Sequence, residues 1–227
     1  MKAIAPFAWK IWLRWRDFGP DEVLCRSVSR LGWVSPCKSL DIYVKELGSD
    51  LPQAHPNGIL FREVSWKEVW NFRFSGGLPS LEEIWKNFDR GSRLFAALES
   101  DTVVAVNWMN LRSADLTAIH LSSVTVPGGA VYSHGAFVSP AFRNRGIGTR
   151  LKQTALNTLQ REGVQFAFVA VFLEDIRVHR WHLANGFQKW GRVTHFRWGE
   201  KDQWWTRLSA TGQRYPALLG ISSSNHA

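Results

Sequence analysis

Ala136-Phe137-Val138-Ser139-Pro140-Ala141-Phe142-Arg143-Asn144-Arg145-Gly146-Ile147-Gly148-Thr149-Arg150-Leu151 is the stretch that decides how this chain folds. It reads as the end of a strand, a tight basic glycine-rich loop and the first turns of a helix. Val131 to Val138 is rich in strand formers, and Pro140 cannot continue the strand. Gly146 and Gly148 stand two apart, where backbone turns sharply or approaches another group closely. From Thr149 onward, Leu151, Ala155, Leu156 and Leu159 recur at helical spacing. A helix N-terminus offers unpaired N–H groups at the positive end of its dipole. Arg143 and Arg145 flank that end. The segment is therefore an anion site, and phosphate is its natural occupant. An ordinary turn with a solvated basic face is the alternative.

The spacing separates this loop from two other phosphate loops. The chain has no Gly-x-x-x-x-Gly-Lys-Ser/Thr and no Gly-x-Gly-x-x-Gly after a first strand. What stands here is Arg-x-x-Gly-x-Gly after a strand ending in Val-Ser-Pro. A second block follows. Val164 to Phe172 is apolar enough for a strand buried on both faces. Ile176, Val178, Trp181 and Leu183 then mark a short helix, stopped by Asn185-Gly186 before Phe187. Together the two blocks resemble the acyl-CoA-binding region of the GNAT superfamily of N-acyltransferases. In that family an Asn opens the second helix and a Tyr stands five residues before the Phe. Here those positions hold Asp175 and His182. Asp caps a helix as Asn does, and His donates a proton as Tyr does, at a pKa nearer neutral.

The resemblance implies an α/β (α+β) fold: a central mixed, mostly antiparallel twisted sheet with helices on both faces and one splayed strand pair. The order of elements agrees. Leu40 to Val44 reads as a short strand and Ile59 to Val64 as another. Ser65 with Glu68 is a capping-box pattern that predicts a helix to Phe74, and Ser80 with Glu83 predicts a second helix to about Phe88. Leu94 to Leu98 and Val103 to Met109 predict a hairpin, Ala118 to Val126 a strand, and Val193 to Trp198 with Gln203 to Leu208 a last strand pair. These suggest a basic, Trp-rich extension over residues 1–58, an acyltransferase domain over 59–210 and a tail over 211–227 that is at least partly disordered.

The resemblance also implies roles. Ala136, Phe137 and Val138 would line the pantetheine of acetyl-CoA or another acyl-CoA, with the Val138 N–H polarising the thioester carbonyl. Arg143, Asn144, Arg145, Gly146, Ile147, Gly148 and Thr149 would hold the pyrophosphate, and Asp175 joins this cofactor-binding set. The reaction would be direct attack of an amine on the thioester, which needs a base, an oxyanion donor and an acid for the thiolate. His134 is the first choice for base, since its spacing from Ala136 and Val138 puts all three on one strand face. Glu174 is the next candidate base, and His182 the candidate acid. A satisfied strand histidine and a surface helix residue are the structural alternatives for His134 and His182. The residues from Asn110 to Pro127 and the Trp-rich N-terminal region are expected to shape the acceptor pocket, whose aromatic lining would suit a bulky or lipidic amine or a longer acyl chain.

Composition sets wider bounds. The chain has 227 residues, 45% of them hydrophobic, which is enough for a real core. Its net charge of +9 fits a polyanionic partner: CoA, an acidic acyl carrier protein, an anionic membrane surface or nucleic acid. No helix-turn-helix, RRM or zinc signature supports specific nucleic-acid binding, and no metal spacing is present. Residues 1–16 carry four cations, no acid and several aromatic side chains, a pattern for peripheral membrane contact or for packing on the domain. With only Cys25 and Cys37, either pairing or a reduced state is open, and the reduced, cytoplasmic state is the expectation. A GNAT-like protein that binds acyl-CoA without catalysis is the main rival reading, because the family's Tyr and Asn are missing.

Overall fold

A computed structural model describes residues 37–48, 58–198, 200–210 and 212–215. The tail from residue 216 and the aromatic segment 1–16 lie outside the described residues. Eleven strands are present among them: β1 (Lys38–Glu46), β2 (Ile59–Val64), β3 (Arg73–Phe74), β4 (Arg93–Glu99), β5 (Thr102–Asn110), β6 (Ser113–Leu116), β7 (Leu121–Thr125), β8 (Ala130–Val138), β9 (Phe166–Phe172), β10 (Gln188–Trp198) and β11 (Lys201–Leu208). Three α-helices join them: α1 (Leu81–Asp89), α2 (Ile147–Arg161) and α3 (Ile176–Ala184).

Nine strands form one sheet in the order β11-β10-β1-β9-β8-β5-β4-β2, with β3 added beside β5. Every pairing is antiparallel except β8 with β9 and β3 with β5. The mixed sheet is as the sequence reading had it. β8, α2 and β9 form its one parallel crossover, and such a connection needs a helix of this length to return to the sheet.

Alternation along the strands builds a core on each face. On β4, Phe95 and Ala97 face one way and Leu94, Ala96 and Leu98 the other. The first face carries α2, whose Ile147, Leu151, Ala155, Leu156 and Leu159 are buried against Phe61, Val104, Met109, Val131 and Ala167. The second face carries α1 through Ile84, beside Val64, Val69 and Trp108. Ser80 caps α1: its hydroxyl accepts from the Glu83 N–H, and the Glu83 carboxylate accepts from the Ser80 N–H. At the other end of that second face, the β6–β7 hairpin places Ala114, Leu116 and Ile119 over Ile42, Tyr132, Phe168 and Trp190.

Two elements differ from the sequence reading, and a third, the strand read at Leu40 to Val44, takes a place in the sheet that the sequence does not announce. The stretch after Ser65 forms a 3-10 turn at Val69–Asn71 and then β3, not a helix to Phe74. The Glu68 carboxylate still accepts from the Ser65 N–H and hydroxyl, but Arg73 and Phe74 are drawn into pairing with Thr102 and Val103. Ala118 to Val126 is not one strand, because a 3-10 turn at Thr117–Ile119 separates β6 from β7. Lys38–Glu46, on the extension side of the boundary expected at residue 58, is an interior strand of the sheet, antiparallel to both β9 and β10. Cys37, just before β1, is disulfide-bonded, which replaces the reduced state expected of it. The cysteine count left both states open. The tryptophans divide as well: Trp108 and Trp190 are buried, whereas Trp66 and Trp70 stand exposed around Trp85. No helix among the described residues is long and apolar enough to cross a membrane.

Candidate functional site

β8 and β9 run side by side only at their start. Ala130 pairs with Phe166, Val131 with Ala167 and Tyr132 with Phe168, where the ladder stops. β8 continues to Val138 and β9 to Phe172. Between them opens a cavity of about 750 Å³, lined by Tyr132 to Val138, by the loop and first turns of α2, by Val169 and Ala170, and by Arg177, Val178, Trp181 and His182 of α3. The N–H of Ser139 donates to Val104 O at 2.9 Å, on the β5 side. Successive N–H groups of a strand point to opposite edges, so the Val138 N–H turns toward the gap.

A bulge shapes β8 at the middle of this wall. Val106 pairs with Phe137 and Trp108 with His134, so Asn107 alone opposes Gly135 and Ala136. Gly135 has φ 55°, and a Cβ there would lie 2.9 Å from Trp108 Cδ1. Only glycine fits both demands. The bulge also resets the alternation. Val131 before it and Val138 after it pack on the α2 side. His134 therefore faces away from Ala136 and Val138, contrary to the simple two-residue spacing. It stacks on Tyr132 with ring centroids 5.5 Å apart, and its Nε2 lies 3.2 Å from Ser92 Oγ. Burial, and secondarily Arg90, outweighs the nearby Asp115 carboxylate and pushes its pKa down to about 4. His134 is thus a neutral imidazole that lines the cavity.

The loop positions the anion end. Gly146 is the N-cap of α2 with φ 73°, and no side chain caps this 15-residue helix. The first-turn N–H groups of Ile147, Gly148 and Thr149 thus stand at the cavity, which all three residues line. Asn144 also takes a left-handed conformation, φ 63°. Arg143 Nε donates to Val138 O at 3.1 Å and its guanidinium stacks over Phe137. Arg145 stacks over Phe142 and is not part of the lining. Trp181 Nε1 donates to Thr149 Oγ1 at 2.9 Å, fastening α3 to the first turn of α2.

The structure gathers Ala136, Phe137, Val138, Arg143, Asn144, Gly146, Ile147, Gly148, Thr149, His134 and His182 around one cavity. Arg145, Glu174 and Asp175 fall outside its lining. Asp175 is the N-cap of α3, yet its side chain makes no capping bond. Backbone carbonyls serve instead: Glu174 O accepts from Ile176 N–H and Asp175 O from His179 N–H. His182 is 2% exposed, not a surface residue. Burial first, then Lys152 and His179, push its pKa down to about 2, so it is not the near-neutral acid the sequence reading expected. None of residues 110–127 lines the cavity; that segment builds the β6–β7 hairpin instead.

Lys152 and Asn107 are the polar cavity residues of most consequence that the sequence reading does not single out. Lys152 is 1% exposed, with its Nζ 3.5 Å from His182 Nδ1 and over the rings of Trp181 and Phe187 at 4.8 and 5.0 Å. Burial, with a smaller push from Lys45, lowers its pKa to about 7. Its place one residue after Leu151 on the apolar stripe of α2 was the available signal. Asn107 is buried, its Nδ2 has no hydrogen-bond partner among the described residues, and only its position opposite the bulge marks it out.

Known proteins resemble this chain in fold. A search of curated protein sequences found no match. Among solved structures, the glucosamine N-acetyltransferase region of a fungal multi-domain GH3 β-N-acetylglucosaminidase is 16% identical and aligns with a TM-score of 0.51, over 74% of this chain and 22% of that one. A GCN5-related N-acetyltransferase from Sphaerobacter thermophilus is 18% identical, with a TM-score of 0.49 over 76% of this chain and 55% of that one. A putative GNAT-family acetyltransferase from Novosphingobium aromaticivorans is 13% identical, with a TM-score of 0.48 over 71% of this chain and 64% of that one. This chain thus spans roughly 55% to 64% of the length of the last two. The sequence profile of the "Acetyltransferase (GNAT) family" matches residues 62–187, from β2 to the Phe that follows α3, and the chain belongs to that family.

Proposed function

We propose that this protein transfers an acetyl or other short acyl group from acyl-CoA to an amine, by direct attack within the gap between β8 and β9. The observation that carries the reading is the ladder that stops at Tyr132, with the uncapped N-terminus of α2 at the cavity it opens. Pyrophosphate accepts from the N–H groups of Ile147, Gly148 and Thr149, favoured by the helix dipole. Pantetheine lies along Ala136 to Val138, where unpaired strand edge can bond its amides. The Val138 N–H meets the thioester oxygen and gains strength as negative charge develops there.

The amine nitrogen attacks the carbonyl carbon, the C–N bond forms, and the C–S bond breaks with its electron pair leaving on sulfur. His134, unprotonated at neutral pH, lines the cavity from the face of β8 opposite Val138 and serves as the base. A base with a pKa of about 4 passes a proton onward to water rather than keeping it. The acyl donor is free CoA thioester, and the acceptor class is set by the face of β8 that carries His134.

Calorimetric titration of the full chain with acetyl-CoA at moderate salt tests the reading. The expected result is a one-to-one isotherm in the micromolar range that survives the salt. Binding seen only at low salt would mark a charge effect of the +9 chain and overturn it.

A further inference from the structure

His182 stands where the family's leaving-group acid is expected, yet a neutral buried imidazole is by itself a poor acid. Its surroundings contain a proton source. Lys152 Nζ lies 3.5 Å from His182 Nδ1, at the long end of hydrogen-bond reach. An ammonium has only hydrogens to offer, so Nδ1 is the acceptor of this contact and the imidazole proton is on Nε2. Tyr43 stacks on His182 from β1, Trp181 precedes it on α3, and Phe187 meets it edge-on. These rings hold the imidazole plane in place. His182 makes its one side-chain hydrogen-bond contact among the described residues with Lys152, and it lines the cavity.

The other charged and titratable groups around the pair do not compete for its proton. Lys45, from β1, donates to Asn185 O at 2.7 Å and reinforces the tendency of Lys152 to shed its proton. His179 accepts from Tyr43 Oη on Nδ1 at 2.7 Å and lies 2.9 Å from Phe172 O on Nε2, so both its nitrogens are engaged. Arg177 reaches the cavity wall as a fixed cation. Among the described residues no carboxylate forms an ion pair with Lys152.

We propose that Lys152 and His182 form a proton relay that delivers a proton to the departing CoA thiolate. The proposal rests on the acyl-CoA reading of the cavity. As the C–S bond breaks, the thiolate takes the Nε2 proton of His182 while Nδ1 takes a proton from the Lys152 ammonium. The products are a thiol, a neutral imidazole of the opposite tautomer and a neutral amine. Lys152 then regains its proton from solvent when CoA leaves. Lys152 acts through His182 and is a positioning and proton-supplying residue, whereas His182 touches the sulfur. The Lys152 ammonium behind His182 also stabilises the thiolate that faces Nε2, so the contact that delivers the proton lowers the thiol's own titration.

The relay is tested without knowing the acceptor, with CoA itself as the probe. The thiolate absorbance of protein-bound CoA is followed against pH, with the desulfo analogue as blank, in the wild type, Lys152→Met, His182→Tyr and the double variant. Methionine fills the buried volume of Lys152 without a charge, and calorimetry reports whether each variant still binds CoA. Wild type is expected to titrate its bound thiol below free CoA. K152M is expected to raise that titration by about one unit, a tenfold loss of thiolate at a given pH, with less than about a threefold change in CoA affinity, under half of such a unit in free energy. In the H182Y background the same lysine change is expected to move the thiol little. A K152M thiol that titrates as in wild type overturns the relay, as does an equal shift in the H182Y background, which would make Lys152 a through-space cation. Failure of the wild type to bind CoA overturns the acyl-CoA reading, and the relay falls with it.

Discussion

Lys152 shows how a residue that is easily passed over in sequence can be central in structure. Sequence reasoning treats lysine as a solvated face, and helical spacing assigns the core to Leu151, Ala155, Leu156 and Leu159 around it. The fold instead encloses its amine between Trp181, Phe187 and His182. Burial depresses its pKa from 10.5 to about 7. In the unfolded chain the amine is charged below 10.5, so folding releases a proton throughout that window, and stability rises as pH rises from 7 to 10.5. Near pH 7 the folded state is therefore penalised by about 4 kcal/mol. K152M removes the penalty and is expected to be more stable by that order, with a flatter pH dependence above neutrality. Guanidinium denaturation at several pH values checks this; a variant no more stable than its parent would show that the amine is solvated. The face that His134 takes is hidden for another reason of the same scale. Strict alternation puts it with Ala136 and Val138, but Gly135 inserts one extra residue just after it.

At the scale of elements, local signals were legible wherever the chain decides alone. The Ser80–Glu83 box, the β4–β5 hairpin, the glycine loop before α2 and the Asn185-Gly186 stop all act within a few residues, and all appear as read. The elements misread are those settled by partners far away in sequence. Residues 65–74 carry a helix-opening pattern, but β5 offers an edge that draws Arg73 and Phe74 into β3. β1 reads as a short strand, yet nothing local says that it inserts between β9 and β10. What fastens it there is a buried charge cluster. Asp41 accepts from Arg192 Nε at 2.7 Å and from Lys189 Nζ at 2.6 Å, both on β10. Burial alone would raise the Asp41 pKa, but the two cations outweigh it and hold the carboxyl below its usual range. Asp41→Asn keeps the shape and removes the carboxylate that both cations share. A loss of about 3 kcal/mol is expected, the cost of removing one member of a buried, hydrogen-bonded charge cluster. A denaturation midpoint equal to wild type would mean that β1 is held by its apolar face alone.

Over the whole molecule the site is a region where burial disfavours the charged form of basic groups inside a chain of net charge +9. Lys152, His182 and His134 all line the same cavity, and burial is the leading cause of each depressed pKa. In the proposed reading, the phosphates of CoA meet helix N–H groups rather than side chains already neutralised by carboxylates. The arrangement also makes acid the molecule's weak side. Both histidines have folded pKa values, about 4 and about 2, below the ordinary 6.5. For such groups stability is fully present above the unfolded value and is lost as pH falls through it. Between 6.5 and about 4 the unfolded chain takes up two protons that the folded chain refuses, so stability should fall by about 2.7 kcal/mol per pH unit. Repulsion within the cationic chain adds to that loss, and the double variant H134Q/H182Y separates the two effects. Thermal melts from neutral pH down to about pH 4 are expected to fall steeply for the wild type. The double variant should keep only the shallower slope due to net charge. Equal slopes in the two proteins would mean that water reaches both imidazoles in the folded chain.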